Sequence, residues 1–196
     1  MPSHDDALSL RDARGLYFAA AGFDESSYTE KWVRLKAGPL ALYMPNTPAR
    51  VRAVRFHDLH HVLTGYATDW TGEAEIGAWE IASGCADHWA AWHLNFLAMA
   101  IGLAIAPRRT FRAFVRGLRS RNFYREEFGE ALLAERVGEA RRRLRLDAPV
   151  GAADAGEIAR FAAGAAASVL AFAATFALTF GLVGGGIALL LGWLRA

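Results

Sequence analysis

Apolar side chains recur at helical intervals along almost the whole chain, and the interruptions divide it into segments. Ser9 to Ala21 keeps that spacing. Ser26, with Glu30 placed to help close a first turn, introduces a second predicted helix over Tyr28 to Ala37, which Gly38-Pro39 stops. Pro45-Asn46-Thr47-Pro48 is the next break. There Thr47 as cap and Pro48 at the first helical position predict a helix over Ala49 to Leu63. Gly65 suits the end of that helix, and Asp69 or Thr71 suits the cap of the one that follows. From about Gly72 the chain is apolar except for a stripe in which Glu73, Glu80 and Asp87 recur every seven residues. Gly77 and Gly84 lie beside the stripe, and Ile76, Trp79 and Ile81 lie opposite. Trp89 to Ala106 is interrupted only by His93 and Asn95 and just reaches spanning length. It reads as core, or as a groove for an apolar tail lined by Trp92, Phe96, Leu97 and Met99.

A basic amphipathic helix follows, in which Arg108, Arg109, Arg112, Arg116, Arg119 and Arg121 alternate with Phe111, Phe114, Val115 and Leu118. Two readings fit it: a solvated face over the core, or a surface for anionic headgroups or an anionic substrate. A second basic run, Arg141-Arg142-Arg143-Leu144-Arg145, ends the helical block, and Asp147 to Gly156 has the composition of a linker. Between Arg160 and Arg195 no residue is charged, which predicts a membrane span centred on Ala165 to Val183, with Gly184-Gly185-Gly186 dividing the segment. The expected architecture is all-α: a helical bundle over residues 1–150 with a metal site between two helices, a linker at 151–160, and a single C-terminal transmembrane helix within 161–194. The arginines ahead of the span and the polar Met1 to Asp6 lead to the expectation of an N-terminal domain on the cytoplasmic side.

Composition changes this picture little. The hydrophobic share, 54% of 196 residues, is high for a soluble domain and agrees with membrane association. A formal net charge of +2 gives no general argument for nucleic acid. Cys85 is the single cysteine, which excludes an internal disulfide, a cysteine-rich zinc knuckle and a Cys-x-x-Cys redox pair.

The chemistry concentrates at His57-Asp58-Leu59-His60-His61. On a helix His57 and His61 share a face and can offer two imidazole nitrogens to one ion. Asp58 can ligate the same ion or hold a ligand's second ring nitrogen. Glu73 arrives from the next helix, and the four together make an N/O site for zinc, or for iron or manganese. Glu80, one stripe position further on, is the candidate acid or base.

His57-Asp58-x-x-His61 followed by Gly72-Glu73 resembles the metal motif of the coenzyme Q biosynthesis protein 4 family, His-Asp-x-x-His-x11-Glu, and Glu80 fits as well. The likeness is specific from Arg55 to Glu80 and looser from about Tyr28 to Tyr124; the hydrophobic tail departs from it. It implies an all-helical, membrane-bound protein in which His57, Asp58, His61 and Glu73 hold a divalent ion, zinc first. The implied partners are a prenylated quinone precursor or another isoprenoid lipid, and other ubiquinone-biosynthesis proteins. The implied activity is removal of a ring carboxylate with hydroxylation at the same carbon, alongside a role in organising the biosynthetic complex, and a homodimer is compatible with it.

Three other classes compete. A membrane di-iron hydroxylase or desaturase would read His57-x-x-His60-His61 and His88-x4-His93 as histidine boxes. Such enzymes resemble one another in using about eight histidines, and only five remain here once His4 is set aside. A metal-dependent phosphohydrolase would need further ligands, for which Asp87-His88 is the only candidate pair. A non-catalytic lipid-binding scaffold would leave the histidines structural.

Overall fold

The computed structural model describes residues 5–22, 25–37 and 40–193. Eight helices dominate it: α1 Leu10–Ala21, α2 Pro48–Thr64, α3 Trp70–Ser83, α4 Trp89–Ile105, α5 Pro107–Arg119, α6 Glu130–Ala134, α7 Val137–Arg143 and α8 Ala155–Trp193. The all-α expectation holds with one exception. Where the sequence predicts a helix over Tyr28 to Ala37, the chain forms a short 3-10 turn, Glu25–Tyr28, and then strand β1, Trp32–Ala37. β1 pairs antiparallel with β2, Leu40–Pro45, in a register running from Trp32 opposite Pro45 to Ala37 opposite Leu40. The predicted contact of Ser26 with Glu30 does form, at 3.2 Å, but it closes a turn. Beyond it Val33 and Leu35 alternate with Arg34 and Lys36, a period of two that overrides the helical start signal.

The caps of α1, α2 and α3 follow the sequence closely. Ser9 Oγ accepts from Asp12 N–H, Thr47 Oγ1 from Arg50 N–H at 3.2 Å, and Asp69 Oδ1 from Gly72 N–H at 2.7 Å, each worth about 1 kcal/mol. Gly65, at φ 74°, closes α2 in the left-handed conformation that glycine adopts without strain. The last carbonyls of α2 are claimed by arginines: Arg141 donates to those of Val62 and Leu63, and Arg116 to that of Thr64. These contacts satisfy groups that a helix end leaves unpaired, and they put positive charge at the C-terminal end of the helix dipole. Arg141 and Arg116 therefore do structural work for the helix that carries the histidines.

α3 is the central element and packs against both α4 and α5. The approach is close because small residues permit it: a Cβ at Gly102 would lie 2.5 Å from that of Ala74, and one at Gly117 would lie 2.4 Å from the Trp79 carbonyl oxygen. Trp79 is fully buried, with its Nε1–H donated to Ser120 Oγ at 2.8 Å. The stripe predicted along α3 divides. Glu73 and Glu80 lie on α3, whereas the helix ends at Ser83 and Asp87 lies beyond it, exposed and paired with Arg52 at 3.1 Å.

α8 begins at Ala155, inside the segment predicted as linker, and stays helical through Gly184-Gly185-Gly186. Its first turns belong to the domain. Glu157 pairs with Arg119, and the Phe161 ring meets those of Phe111 and Phe114. Among the described residues α8 alone is long and apolar enough to cross a membrane, over Ala155–Leu182.

Candidate metal centre

α2 delivers His57 and His61 from consecutive turns of one face, and the loop between Gly65 and Asp69 brings α3 back so that Glu73, in its first turn, meets them. One ligand atom from each of His57, His61 and Glu73 lies within 4.8 Å of the other two. His57 Nε2 is 3.1 Å from His61 Nε2, and each of these nitrogens is 3.4 Å from a Glu73 oxygen. Ligands held at about 2.0–2.2 Å around a tetrahedral ion stand roughly 3.3–3.6 Å apart, close to these separations.

The outer nitrogen of each ring fixes which atom faces inward. His57 Nδ1 is 3.0 Å from Glu80 Oε1, and His61 Nδ1 is 3.0 Å from the Tyr66 carbonyl oxygen. An ionised carboxylate and a carbonyl only accept, so both Nδ1 atoms carry hydrogen and both Nε2 lone pairs point into the site. Two lone pairs and a carboxylate facing one another at these distances repel unless a cation lies among them. A proton can serve, and so can a divalent ion. Glu73 and Glu80 outweigh the effect of burial and hold the His57 pKa well above its usual range, while hydrogen bonds from His57 and His61 hold Glu73 well below its own.

Glu80 stands behind the centre instead of in it. Its side chain is fully buried and accepts from His57, His60 and Tyr124, the last at 2.8 Å, and from the Asn95 amide. Against the cost of burial, His57 and His60 keep it ionised, with its pKa lowered. A carboxylate saturated by four donors is poorly placed to exchange protons with a substrate, so the geometry gives Glu80 the work of aiming His57 in place of the acid or base role expected from sequence. His60 shares that carboxylate through Nδ1, at 2.6 Å, and accepts the Phe123 backbone N–H at Nε2. It is a core histidine with both nitrogens used, and burial lowers its pKa.

Asp58 lies outside the group of three. Its carboxylate accepts from Tyr28 Oη at 2.5 Å, and burial raises its pKa. It holds neither ligand's second nitrogen, a task that falls to Glu80 and Tyr66. The Tyr17 ring stacks on His61 with centroids 5.4 Å apart and planes 16° off parallel. Glu73, with 38% of its side chain exposed, and His57, with 19%, leave the centre open on one side, as in zinc sites that keep a coordination position for a substrate. The second histidine box has no counterpart: His93 is exposed, and His88 packs against Phe56 and Tyr124 with Nε2 3.8 Å from Asp87.

Sequence reasoning gave no role in the site to Tyr17, Tyr28, Tyr66, Asn95 and Tyr124, which approach from α1, from α4 and from connecting segments; only Asn95, a polar residue in an apolar run, carries a local signal. The chain matches no protein family, no curated protein and no solved structure against which it was compared.

Proposed function

We propose that this chain is a membrane-tethered metalloprotein of the ubiquinone-biosynthesis type. In this reading His57, His61 and Glu73 hold a divalent cation, zinc first and iron or manganese as alternatives, and the protein acts on a prenylated aromatic precursor. The observation that carries the reading is the convergence of two Nε2 lone pairs and a carboxylate whose tautomers are fixed from behind. The resemblance of the same residues to the His-Asp-x-x-His-x11-Glu motif supports the substrate class.

A bound ion would supply Lewis acidity toward a carboxylate or phenolate oxygen. The chain's own residues do the rest. Glu80 and the Tyr66 carbonyl orient the imidazoles, and Tyr17 covers one face of His61. Asp58, next to His57 in sequence, accepts from the Tyr28 hydroxyl, and this bonded pair is the candidate for holding or passing a proton beside the site. Glu80, being saturated, takes no part in proton transfer.

A non-catalytic scaffold at the same membrane is the second reading, favoured by Glu80, which is buried behind the centre and saturated by four donors. Metal quantification in the purified full chain, in His61→Ala and in Glu73→Ala tests the site, with co-purifying lipid identified by mass spectrometry. Near-stoichiometric metal in the wild type and its loss in both variants is expected. Equal metal content in all three sinks the site, and the lack of any quinone or prenyl-phenol species counts against the substrate class.

A further inference from the structure

One end of the bundle carries exposed apolar and basic side chains that the metal centre does not use. α5 runs antiparallel to α8, because Arg119 meets Glu157 whereas Phe111 and Phe114 meet Phe161 further along α8. The corner between α4 and α5, at Ile105 to Arg108, therefore lies toward the part of α8 that leaves the domain. Phe161, Ala165, Ser168, Ala171 and Thr175 form the partly or fully buried stripe of α8, and every described side chain after Thr175 is exposed. Phe176 to Trp193 is about 18 residues, roughly 27 Å of helix, close to the thickness of a hydrocarbon core. Trp193, 76% exposed, stands where an aromatic anchor at the far interface belongs.

The start of α3 lies at the same corner. Glu75 takes a bidentate bond from Arg109, at 2.6 and 3.0 Å, and Ala74 packs on Gly102. Trp70, in the first turn of α3, is 51% exposed, and Ile105 is 53% exposed. Arg108 and Arg112, one turn apart on α5, are exposed and have no carboxylate partner among the described residues. The acids at the start of α3 are committed, Glu75 to Arg109 and Asp69 to the α3 cap.

We propose that this end, with Trp70 and Ile105 as apolar wedges and Arg108 and Arg112 as cations, docks on the anionic phospholipid headgroups of the bilayer that α8 enters. Trp70 and Glu73 are three residues apart on one face of α3, so docking through Trp70 holds the metal centre near the membrane surface, where a lipid can present a reactive head without leaving the bilayer. The inference rests on the reading of α8 as a span, and both are tested together. The full chain is labelled with one fluorophore at Ile105→Cys, at Phe176→Cys or at Trp89→Cys, the last at the opposite end of α4. Native Cys85 is fully buried, and the unsubstituted chain serves as the labelling blank. Each protein is reconstituted in phosphatidylcholine vesicles with and without phosphatidylglycerol.

An acyl-chain quencher is expected to reach the label at 176 in both vesicle types. A headgroup quencher is expected to reach the label at 105 when phosphatidylglycerol is present, but not the label at 89. That quenching falls by about half or more in Arg108→Gln/Arg112→Gln, two exposed positions whose replacement leaves the fold intact. A label at 105 as open to aqueous iodide as the label at 89, beside a quenched label at 176, overturns the docking and leaves the span. A label at 176 that no lipid quencher reaches overturns the span and the docking with it.

Discussion

Replacing Glu80 by Gln tests the centre most sharply, because it removes a charge while keeping shape. Glu80 accepts four hydrogen bonds, from His57, His60, Asn95 and Tyr124. An amide has one accepting oxygen, and its NH2 would face donors. His57 and His60 donate to the same oxygen, Oε1, and His60 cannot adapt, since its Nε2 already accepts the Phe123 N–H and its Nδ1 must remain the donor. The amide oxygen therefore takes that place, and the NH2 faces the Asn95 amide and the Tyr124 hydroxyl. His57 keeps its hydrogen at Nδ1 but loses the negative charge behind it, which leaves its Nε2 a weaker ligand for an ion. The variant should bind metal roughly 10–100-fold more weakly, the usual cost of losing a partner behind a ligating histidine, equivalent to about 1.4–2.7 kcal/mol. Losing charged hydrogen bonds in a buried network should also destabilise the fold, by about 2–4 kcal/mol. Competition titration with a chromophoric chelator measures the affinity, and long-range nitrogen–proton correlation of the imidazoles reports the tautomer of His57. Wild-type affinity in a folded Glu80→Gln protein, with His57 still protonated at Nδ1, would refute the reasoning.

Asp58→Asn separates two roles. If Asp58 is bonded to Tyr28 and is not a ligand, metal stoichiometry survives and affinity falls less than about threefold, whereas a ligand's loss costs far more; a chelator titration that puts Asp58→Asn beside His61→Ala in affinity would make it a ligand after all. The pH dependence follows from two opposed shifts. His57, with its pKa raised above 6.5, contributes stability that is full below pH 6.5 and lost as pH climbs through its folded value. Glu73, lowered from 4.5, contributes stability present above pH 4.5 and lost in acid. The chelated protein should therefore gain most from this cluster between about pH 4.5 and 6.5, and the rise in melting temperature on adding zinc should grow above pH 6.5, where the ion replaces the His57 proton. A zinc-induced rise that is flat or shrinks from pH 6 to 8 would contradict this. Two truncations probe α8: a chain ending after Thr175 should stay folded but leave the membrane fraction, while one ending at Gly151 should aggregate, because it bares Phe111, Phe114 and Met99. Flotation and circular dichroism distinguish these outcomes, and a soluble, folded chain ending at Gly151 would show that α8 contributes nothing to the domain.

What could be read from the sequence was set by local physics. The caps at Ser9, Thr47 and Asp69 and the stop at Gly65 are contacts between residues three or four apart, so the chain declares them. Hairpin β1–β2 was misread because the start signal at Ser26 and Glu30 is real but short-ranged, and the two-residue alternation after it depends on a partner strand that a helical template ignores. The beginning of α8 was misplaced for a similar reason: Ala and Gly made 151–160 look like a linker, while the Glu157–Arg119 pair and the packing of Phe161 recruit most of it into the helix.

The metal centre shows where that limit falls. The eleven residues between His61 and Glu73 comprise the last turn of α2, the loop from Gly65 to Asp69 and the opening of α3, so their number is a mechanical quantity. Adding or removing one residue would rotate Glu73 by about 100° away from the histidines. Three ligands on one short connection are therefore legible in a linear pattern. The groups that aim them are not, because Glu80 gathers donors from α2, α4 and the loop holding Tyr124, and no single spacing encodes a meeting of several elements. The same physics explains why Glu80 looked catalytic from sequence. An acid seven residues beyond a ligand shares its helix face, and only the surrounding donors decide whether that acid confronts a substrate or stands behind the metal ligand it supports.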